Sequence, residues 1–294
     1  MRSLYCLLGD PVAHSRSPAL MSRAFELLSV DAAYAPCQVS AAQLSQAVAG
    51  LRALGARGFN VTVPHKTRAL ELCDRITHAA GRIGAVNCVS REGDELVGHN
   101  TDAPGLLRAL RAAGISASAS SANSSSAAFE RVVVVGAGGS AHAAAIALGE
   151  LAGTLCIVNR TEEKARALAQ VLRVSAVRAE SAALRSAEAC AQLAAATLVV
   201  QCTTIGLGTA ELALDPATLA PGCAVVDLVY AGPPGSAAGD TALITAARAR
   251  GLRTVDGLAI LVHQAIASLE IWLARPQLDQ LAAPLLLAAA AVQK

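Results

Sequence analysis

Two charged residues, Lys66 and Asp102, offer the most direct chemistry in this sequence. Lys66 closes the stretch GFNVTVPHK, directly after a run of strand-forming residues. Because Pro64 suits the first position of a helix, the sequence predicts Lys66 near the positive end of a helix dipole, where a cation needs a functional reason. Asp102, in HNTDAPG, would either cap the helix that follows it or hold the lysine ammonium in place. A lysine held in this way can pass a proton to or from a substrate oxygen.

Hydroxyl and amide side chains gather where the strands of an α/β sheet would end. Ser15 and Ser17 follow the first strand-like run. Asn60 and Thr62 alternate along one face of GFNVTV, and Asn87 follows the apolar residues GAV. Each of them alone could be a cap or a turn residue. Together they suit a small polyol, with or without one carboxylate.

A glycine-rich turn predicts a dinucleotide site. The segment RVVVVGAGGSAHAAAIALGEL has the pattern of a buried strand, a glycine turn and an alanine-rich helix. Within it, Gly136, Gly138 and Ala141 fit G-x-G-x-x-[GA]. Gly136 would permit the tight turn, Gly138 would let the backbone approach a pyrophosphate, and Ala141 would permit close helix packing. The alternative is a glycine turn with a structural role only.

The end of the next strand indicates which dinucleotide would bind. An acidic residue at this point would bind the ribose hydroxyls of NAD, but the strand ends Asn159-Arg160-Thr161. Arg160 could pair with a 2′-phosphate, Thr161 offers a hydroxyl, and Lys164 lies one helical turn further on. The sequence therefore favours NADP over NAD. The alternative is that Arg160 is simply solvated and that Thr161 is only a helix cap.

These candidate residues are distributed over two α/β domains in the predicted fold. Strand-like and helix-like segments alternate, which predicts a mostly parallel sheet in each domain. Residues 1–113 would form a substrate-binding α/β domain, with helices from residues 258–294 packing back on it. Residues 114–257 would form a Rossmann-like NADP-binding domain. The serine-rich stretch 114–128 is expected to be a flexible loop between them.

Composition excludes several other classes of protein. The 294 residues carry a formal net charge of +2, with no cluster of basic residues that would indicate a nucleic-acid or membrane-surface partner. The amino terminus lacks a signal-peptide pattern, and the longest apolar run is too short for a membrane span, so we expect a cytoplasmic protein. Eight cysteines occur without a CxxC pair or a histidine at metal spacing, which predicts reduced thiols and no metal site.

The chain resembles the shikimate dehydrogenase family along nearly its whole length. The motifs GDPVAHSRSP, GFNVTVPHK, GAVNCV, GHNTDAPG, VVVVGAGGSA, VNRT, DLVY and TVDGLAILVHQA occur in the family's order. The resemblance implies an NADP-dependent, reversible reduction of 3-dehydroshikimate to shikimate in aromatic amino-acid biosynthesis. It assigns the catalytic pair to Lys66 and Asp102, which also touch the substrate. The other substrate contacts it implies are Ser15, Ser17, Asn60, Thr62, Asn87, Thr101, Tyr230 and Gln264. The cofactor contacts it implies are Gly136, Ala137, Gly138, Gly139, Ser140, Ala141, Asn159, Arg160, Thr161, Lys164, Leu228 and Gly257.

Two segments depart from the family pattern. Gln201 and Cys202 replace the usual asparagine-threonine start of one segment, and AGPPGSAAGDTAL follows Tyr230 where the family has a shorter stretch. A quinate/shikimate dehydrogenase of relaxed specificity therefore remains an alternative. An alternative of another class is a non-catalytic NADP-binding module, which would be expected to lose Lys66 and Asp102. The expected oligomeric state is a monomer or a homodimer.

Overall fold

The computed structural model describes residues 2–115, 127–231, 237 and 240–291. The chain divides into two compact units, Met1–Gly105 with Leu261–Lys294 and Leu106–Ile260. Most of the predicted serine-rich loop, residues 116–126, lies outside the described residues, as does part of the segment after Tyr230. Among these described residues, each unit has one sheet of six strands with helices packed on it. This confirms the predicted α/β fold.

A mixed sheet forms the frame of the first unit. Its strands are β1 (Ser3–Gly9), β2 (Ala32–Gln38), β3 (Gly58–Val61), β4 (Arg75–Ile76), β5 (Cys88–Glu92) and β6 (Glu95–His99). They stand in the order β2-β1-β3-β5-β6-β4. The β1 strand is parallel to β2 and β3, β5 is antiparallel to β3 and β6, and β4 is parallel to β6. The helices that carry residues of this unit are α1 (Ser17–Leu27), α2 (Leu44–Ala53), α3 (His78–Ile83), α4 (Asp102–Ala112), α9 (Gly257–Leu273) and α10 (Ala282–Ala291).

The second unit is built on a wholly parallel sheet. Its strands are β7 (Phe129–Val135), β8 (Ala152–Asn159), β9 (Ala179–Ala183), β10 (Leu198–Gln201), β11 (Ala224–Asp227) and β12 (Arg253–Val255). They stand in the order β12-β11-β10-β7-β8-β9, so the order reverses between β7 and β10. The helices of this unit are α5 (Gly139–Gly149), α6 (Glu162–Val174), α7 (Ala187–Ala194) and α8 (Ala242–Ala249). A crevice at such a reversal, beyond the carboxyl ends of the strands, is where sheets of this type bind dinucleotides.

The run of valines in β7 explains why helices cover both faces of this sheet. Val132 and Val134 belong to one apolar cluster, and Val133 and Val135 belong to another. Since side chains alternate along a strand, both faces need a cover. The four valines are fully buried, and burial of each contributes about 1.5–3 kcal/mol to stability. The strand that leads into the glycine turn is therefore rigidly held.

Both boundaries between the units fall inside helices. The compact units divide after Gly105, within α4, and before Leu261, within α9, whereas the domain boundaries after residues 113 and 257 stay a prediction. The compact unit begins earlier than the predicted domain because Leu106 and Leu110 are buried in the core of the second unit. A boundary inside a continuous helix leaves no local signal in the sequence.

Cysteines occur in both cores and at the surface. All eight are free thiols. Burial raises the pKa of Cys6, Cys88 and Cys156 to about 12, so these thiols stay protonated at neutral pH and act as small apolar side chains. Cys190 is exposed. Within the described ranges, no helix has the length and apolar character that a bilayer span requires.

Candidate active site

Lys66 and Asp102 form a close ion pair in the first unit. Lys66 Nζ donates to Asp102 Oδ2 at 2.5 Å, and the two side chains are 13% and 15% exposed. The other carboxylate oxygen, Oδ1, accepts a hydrogen bond of 2.7 Å from Asn87 Nδ2. Asp102 therefore binds the ammonium with one oxygen while the amide fixes the other. A shielded ion pair of this kind keeps a proton donor at a defined position.

The sequence predicted a helix that begins at Pro64, and this prediction is wrong: the described residues 64–67 form no helix. Lys66 lies in a turn, and the next helical segment is the short 3₁₀ helix Arg68–Leu72. Backbone hydrogen bonds hold the turn, from Asp10 N to Val63 O at 3.0 Å and from Val86 N to Lys66 O at 2.9 Å. The position of Lys66 therefore depends on contacts with distant segments and not on a helix dipole.

Capping of α4 is provided by Asn100, which leaves the Asp102 side chain for Lys66. Asn100 Oδ1 accepts hydrogen bonds from Asp102 N at 3.1 Å and Ala103 N at 3.3 Å. The amide of Asn100 in turn donates to Ala85 O at 2.9 Å. Asp102 is the first residue of α4, where a carboxylate also complements the helix dipole. The structure thus resolves the two roles that the sequence left open for Asp102.

A buried network of amides and hydroxyls surrounds the ion pair. Asn87 Oδ1 accepts from Thr101 N at 2.6 Å, and Asn87 Nδ2 lies 3.0 Å from Thr101 Oγ1. Gln264, on α9, places its Oε1 3.5 Å from both Asn87 Nδ2 and Thr101 Oγ1. Asn87 and Thr101 are only 2% and 1% exposed. Groups held by several partners keep their orientation, which is what binding of a polyol requires.

Asn60 belongs to the same network and also bonds two residues that the sequence did not single out. Asn60 Nδ2 donates to Asn87 O at 3.0 Å and to Ser268 Oγ at 3.1 Å. Tyr34 Oη donates to Asn60 Oδ1 at 2.9 Å. Ser268 lies one turn after Gln264 on α9, and that spacing was the only sequence signal for it. Tyr34 lies in β2 and gave no comparable signal.

Ser15, Ser17 and Thr62 follow two neighbouring parallel strands, β1 and β3. Ser15 and Ser17 follow β1, and Ser17 N donates to Ser15 Oγ at 3.2 Å as α1 begins. Thr62 follows β3 and packs against Gly9, where an added Cβ would come within 2.3 Å of the Thr62 methyl. Arg16, between the serines, is buried and donates to Ala289 O in α10 at 2.6 Å. Among the described residues, the side chains of Ser15, Ser17 and Thr62 do not belong to the hydrogen-bonded network that surrounds the ion pair.

The glycine turn after β7 has the geometry that a pyrophosphate needs. Gly136 has φ 121°, a conformation that side-chain-bearing residues rarely adopt. At Gly138, the residue before α5, an added Cβ would meet no described atom within 4 Å, so the backbone is open to a ligand. Ala141 is fully buried, which brings α5 close to the sheet. Ala137, Gly139 and Ser140 complete the turn at the helix N-terminus, a favourable place for an anion.

The residues after β8 present unneutralised positive charge. Arg160, Thr161 and Lys164 are all exposed, and neither cation forms an ion pair with a described residue. Thr161 occupies the N-cap position of α6, but its side chain makes no cap hydrogen bond. Asn159 Nδ2 donates to Thr161 O at 2.9 Å and so shapes the turn. The Thr161 hydroxyl is therefore not needed by the helix, and the cluster fits a phosphate group.

A buried carboxylate organises the loops beyond β10 and β11. Asp227 accepts hydrogen bonds from Thr241 Oγ1 at 2.6 Å, Val229 N at 3.0 Å and Gln201 Nε2 at 3.4 Å. Burial raises the pKa of Asp227 to about 6. The departure at Gln201 thus has a structural role, because its amide also donates to Ile205 O at 3.0 Å.

The two remaining cofactor candidates, Leu228 and Gly257, touch each other in the second unit. A Cβ at Gly257 would come within 2.6 Å of Leu228 O, so only glycine permits α9 to start against this backbone. Tyr230, the substrate candidate, is half-buried two residues after Leu228. Asp256 Oδ1 caps α9 by accepting from Ala259 N at 3.0 Å.

Comparison with known proteins gives consistent matches for both parts of the chain. Residues 7–89 match the family model described as shikimate dehydrogenase substrate binding domain. Residues 118–206 match the model for shikimate / quinate 5-dehydrogenase. The chain is 41% identical over 276 residues to the shikimate dehydrogenase (NADP(+)) of Symbiobacterium thermophilum, which covers 92% of this chain and 88% of that protein.

Two solved structures share the fold over nearly their full length. One is shikimate 5-dehydrogenase from Thermus thermophilus in complex with NADP(H) and shikimate, with 32% identity, a TM-score of 0.82 and 98% of each chain covered. The other is quinate dehydrogenase from Corynebacterium glutamicum in complex with NAD, with 28% identity, a TM-score of 0.82 and 99% of each chain covered.

Proposed function

The chain belongs to the shikimate dehydrogenase family, as its motifs predicted, and from this premise we propose that it reversibly reduces 3-dehydroshikimate to shikimate with NADPH. This is an oxidoreductase reaction at a CH–OH group, in the pathway to chorismate and the aromatic amino acids. The observation that carries the proposal is the ion pair of Lys66 and Asp102 inside a fixed network of polar side chains. We further propose that the reaction takes place in the cytoplasm and that the protein is a monomer or a homodimer.

In this mechanism Lys66 transfers the proton. When bound, NADPH would supply the hydride. The Lys66 ammonium gives a proton to the ketone oxygen, so that a hydroxyl forms instead of an alkoxide. Asp102 keeps the ammonium in place at 2.5 Å, and Asn87 keeps Asp102 in place at 2.7 Å. In the reverse direction the neutral lysine removes the proton from the substrate hydroxyl.

Cofactor recognition is proposed to use two features of the second unit. The open backbone at Gly138 and the N-terminus of α5 would hold the pyrophosphate. Arg160 and Lys164 would hold the 2′-phosphate that distinguishes NADP from NAD. The other residues proposed to line the cofactor are Gly136, Ala137, Gly139, Ser140, Ala141, Asn159, Thr161, Leu228 and Gly257.

Substrate recognition is proposed to divide between carboxylate and hydroxyl groups. Ser15 and Ser17, beside the start of α1, would hold the carboxylate. The amides and hydroxyls around the ion pair would hold the ring hydroxyls, because each is fixed by other hydrogen bonds. The network residues Asn60, Asn87, Thr101 and Gln264 would do this together with the ion pair of Lys66 and Asp102. Thr62 and Tyr230 are proposed as further substrate contacts.

The test compares the rates of oxidation of shikimate and quinate, each with NADP+ or NAD+. Reduction of the nicotinamide is monitored by its absorbance. We expect rapid reduction of NADP+ with shikimate and slow reduction in the other three mixtures. Comparable rates with quinate would favour a quinate/shikimate dehydrogenase, the activity class of the Corynebacterium glutamicum neighbour. Binding of NADP+ without turnover of either substrate would contradict the proposal and favour a non-catalytic module.

A further inference from the structure

Both N–H groups of the Asn60 side-chain amide are hydrogen-bonded within the protein. A side-chain amide has two N–H donors and one oxygen with two lone pairs. One N–H goes to Asn87 O at 3.0 Å, and the other goes to Ser268 Oγ at 3.1 Å. Tyr34 Oη occupies one lone pair of Oδ1 at 2.9 Å. What Asn60 can still offer to a ligand is therefore one acceptor position and no donor.

Ser268 is the residue that completes this arrangement. It is fully buried on α9, and its Oγ donates to Gln264 O at 3.1 Å, the usual back-bond of a helical serine. The same oxygen lies 3.2 Å from Thr101 Oγ1. Ser268 thus joins β3, the start of α4 and α9 at one point. Because Ser268 is fully buried and bonds Asn60 and Thr101, it would act through them.

We propose that Ser268 is a positioning residue for the substrate: by taking one N–H of Asn60, it makes Asn60 meet the substrate only as a hydrogen-bond acceptor. Asn60 would then favour a hydroxyl at this position of the substrate ring, because a hydroxyl can donate a hydrogen bond to Asn60 Oδ1. This inference rests on the proposed function, in which Asn60 faces the substrate. Without the Ser268 hydroxyl, this N–H of the buried amide would lose its partner and become available to a ligand.

The test is steady-state kinetics of Ser268→Ala with shikimate as the varied substrate and NADP+ at saturation. We expect KM for shikimate to rise about fivefold to thirtyfold, while kcat changes less than about threefold and KM for NADP+ stays unchanged. Tyr34→Phe takes away the donor that fixes Asn60 Oδ1, so the amide is held less firmly in this orientation and we expect the same split between KM and kcat. This second variant keeps the test valid if Ser268→Ala fails to fold.

Two matched controls exist in the same unit. Ser90 is 6% exposed and bonds His99 Nε2 at 2.9 Å, so Ser90→Ala removes a buried hydroxyl outside the network. Tyr5 is buried, and its ring contacts Trp272, as the ring of Tyr34 does, so Tyr5→Phe is the control for Tyr34→Phe. Both controls should keep KM for shikimate.

The outcomes separate this inference from the proposed function. An active wild-type enzyme with an unchanged KM in Ser268→Ala and Tyr34→Phe would overturn the inference alone, even if both variants melt at lower temperature. A wild-type enzyme that reduces no NADP+ with shikimate would overturn the proposed function and the inference together. A raised KM in both variants and in neither control would support the positioning role.

Discussion

Asp102 uses its two carboxylate oxygens on different partners, and this division determines how Lys66 is held. One oxygen binds the ammonium, and the other is fixed by Asn87. An exposed ion pair would contribute little, because side-chain entropy and water compete with it. Here both side chains are largely shielded, and the network limits their freedom. The pair can therefore hold a proton donor in one orientation.

Removal of the lysine amine should abolish most of the turnover. We expect Lys66→Ala to lower kcat about a hundredfold to ten-thousandfold, the usual range for lost acid-base catalysis, with NADP+ affinity nearly unchanged. The control is Arg68→Ala, two residues further on, which removes an exposed cation paired only with Glu71 at 3.6 Å among the described residues. Turnover should be measured beside NADP+ binding. Retained turnover in Lys66→Ala would show that the catalytic assignment is wrong.

Arg160 should determine the preference for NADP over NAD. We expect Arg160→Ala to raise KM for NADP+ about tenfold to a hundredfold, because a hydrogen bond between charged groups is worth roughly 1.5–3 kcal/mol. KM for NAD+ should not change. Arg166→Ala, in the helix that follows Arg160, is the control, since Arg166 is paired with Glu162 at 2.7 Å and is not proposed to bind the cofactor. An equal effect of both substitutions would argue for general surface charge instead.

The residues of the candidate site were partly predictable from sequence, and the limit has a physical cause. Lys66 and Asp102 were visible because titratable groups stand out against apolar strands. Ser268 was not, since its partner Asn60 is 208 residues away in the chain and only the fold brings them together. Tyr34 was missed for the same reason.

The crossing of helices α4 and α9 fixes the position of Gln264. A Cβ added at Gly105 of α4 would lie 2.8 Å from the backbone N and Cα of Gln264 on α9. Backbone atoms cannot rotate away as a flexible side chain can. Gly105 is therefore required for the close contact that brings Gln264 toward Asn87 and Thr101.

Gly105→Ala should separate these helices and weaken substrate binding. We expect lower thermal stability and a KM for shikimate raised at least about fivefold, because overpacking at a tight contact typically costs about 1–3 kcal/mol. Gly50→Ala, in α2, is the matched control, since a Cβ there would meet nothing within 4 Å. That variant should be as stable as wild type or more stable, because alanine favours helix. Stability by thermal unfolding and KM by initial rates decide the outcome.

Element prediction succeeded where local pattern and tertiary packing agree. The glycine turn between β7 and α5 was predicted from its valines and glycines, which leave few other conformations. The prediction of a helix at Pro64 was wrong, because hydrogen bonds from Asp10 and Val86 hold that stretch as a turn. Neither partner is adjacent in sequence, so no local rule could have anticipated them.

At the scale of the molecule, Asp227 gives stability a distinct pH dependence. Burial raises its pKa to about 6 from the ordinary value of 3.8, so between these values the folded state binds more protons than the unfolded state. Stability from this group is therefore fully present below the unfolded value of 3.8, is lost as pH rises through about 6 and is constant above that. The loss is on the order of 2–3 kcal/mol.

Asp227→Asn should remove this dependence. An asparagine can accept from Val229 N and Gln201 with its oxygen and donate to Thr241 with its nitrogen, so the network survives. Unfolding by urea between about pH 4 and pH 8 should show wild type losing stability relative to the variant up to about pH 6, with a constant difference above about pH 7. Parallel curves over the whole range would contradict the assignment.

The first unit combines two separated parts of the chain, and Arg16 binds them together through Ala289 of α10. On the ribosome, residues 106–260 emerge before residues 261–291. A nascent chain can therefore assemble the sheet with the glycine turn while the loop that contains Ser15 and Ser17 still lacks its anchor in α10. During biosynthesis, the chain would gain the means to hold a cofactor before the means to hold a substrate.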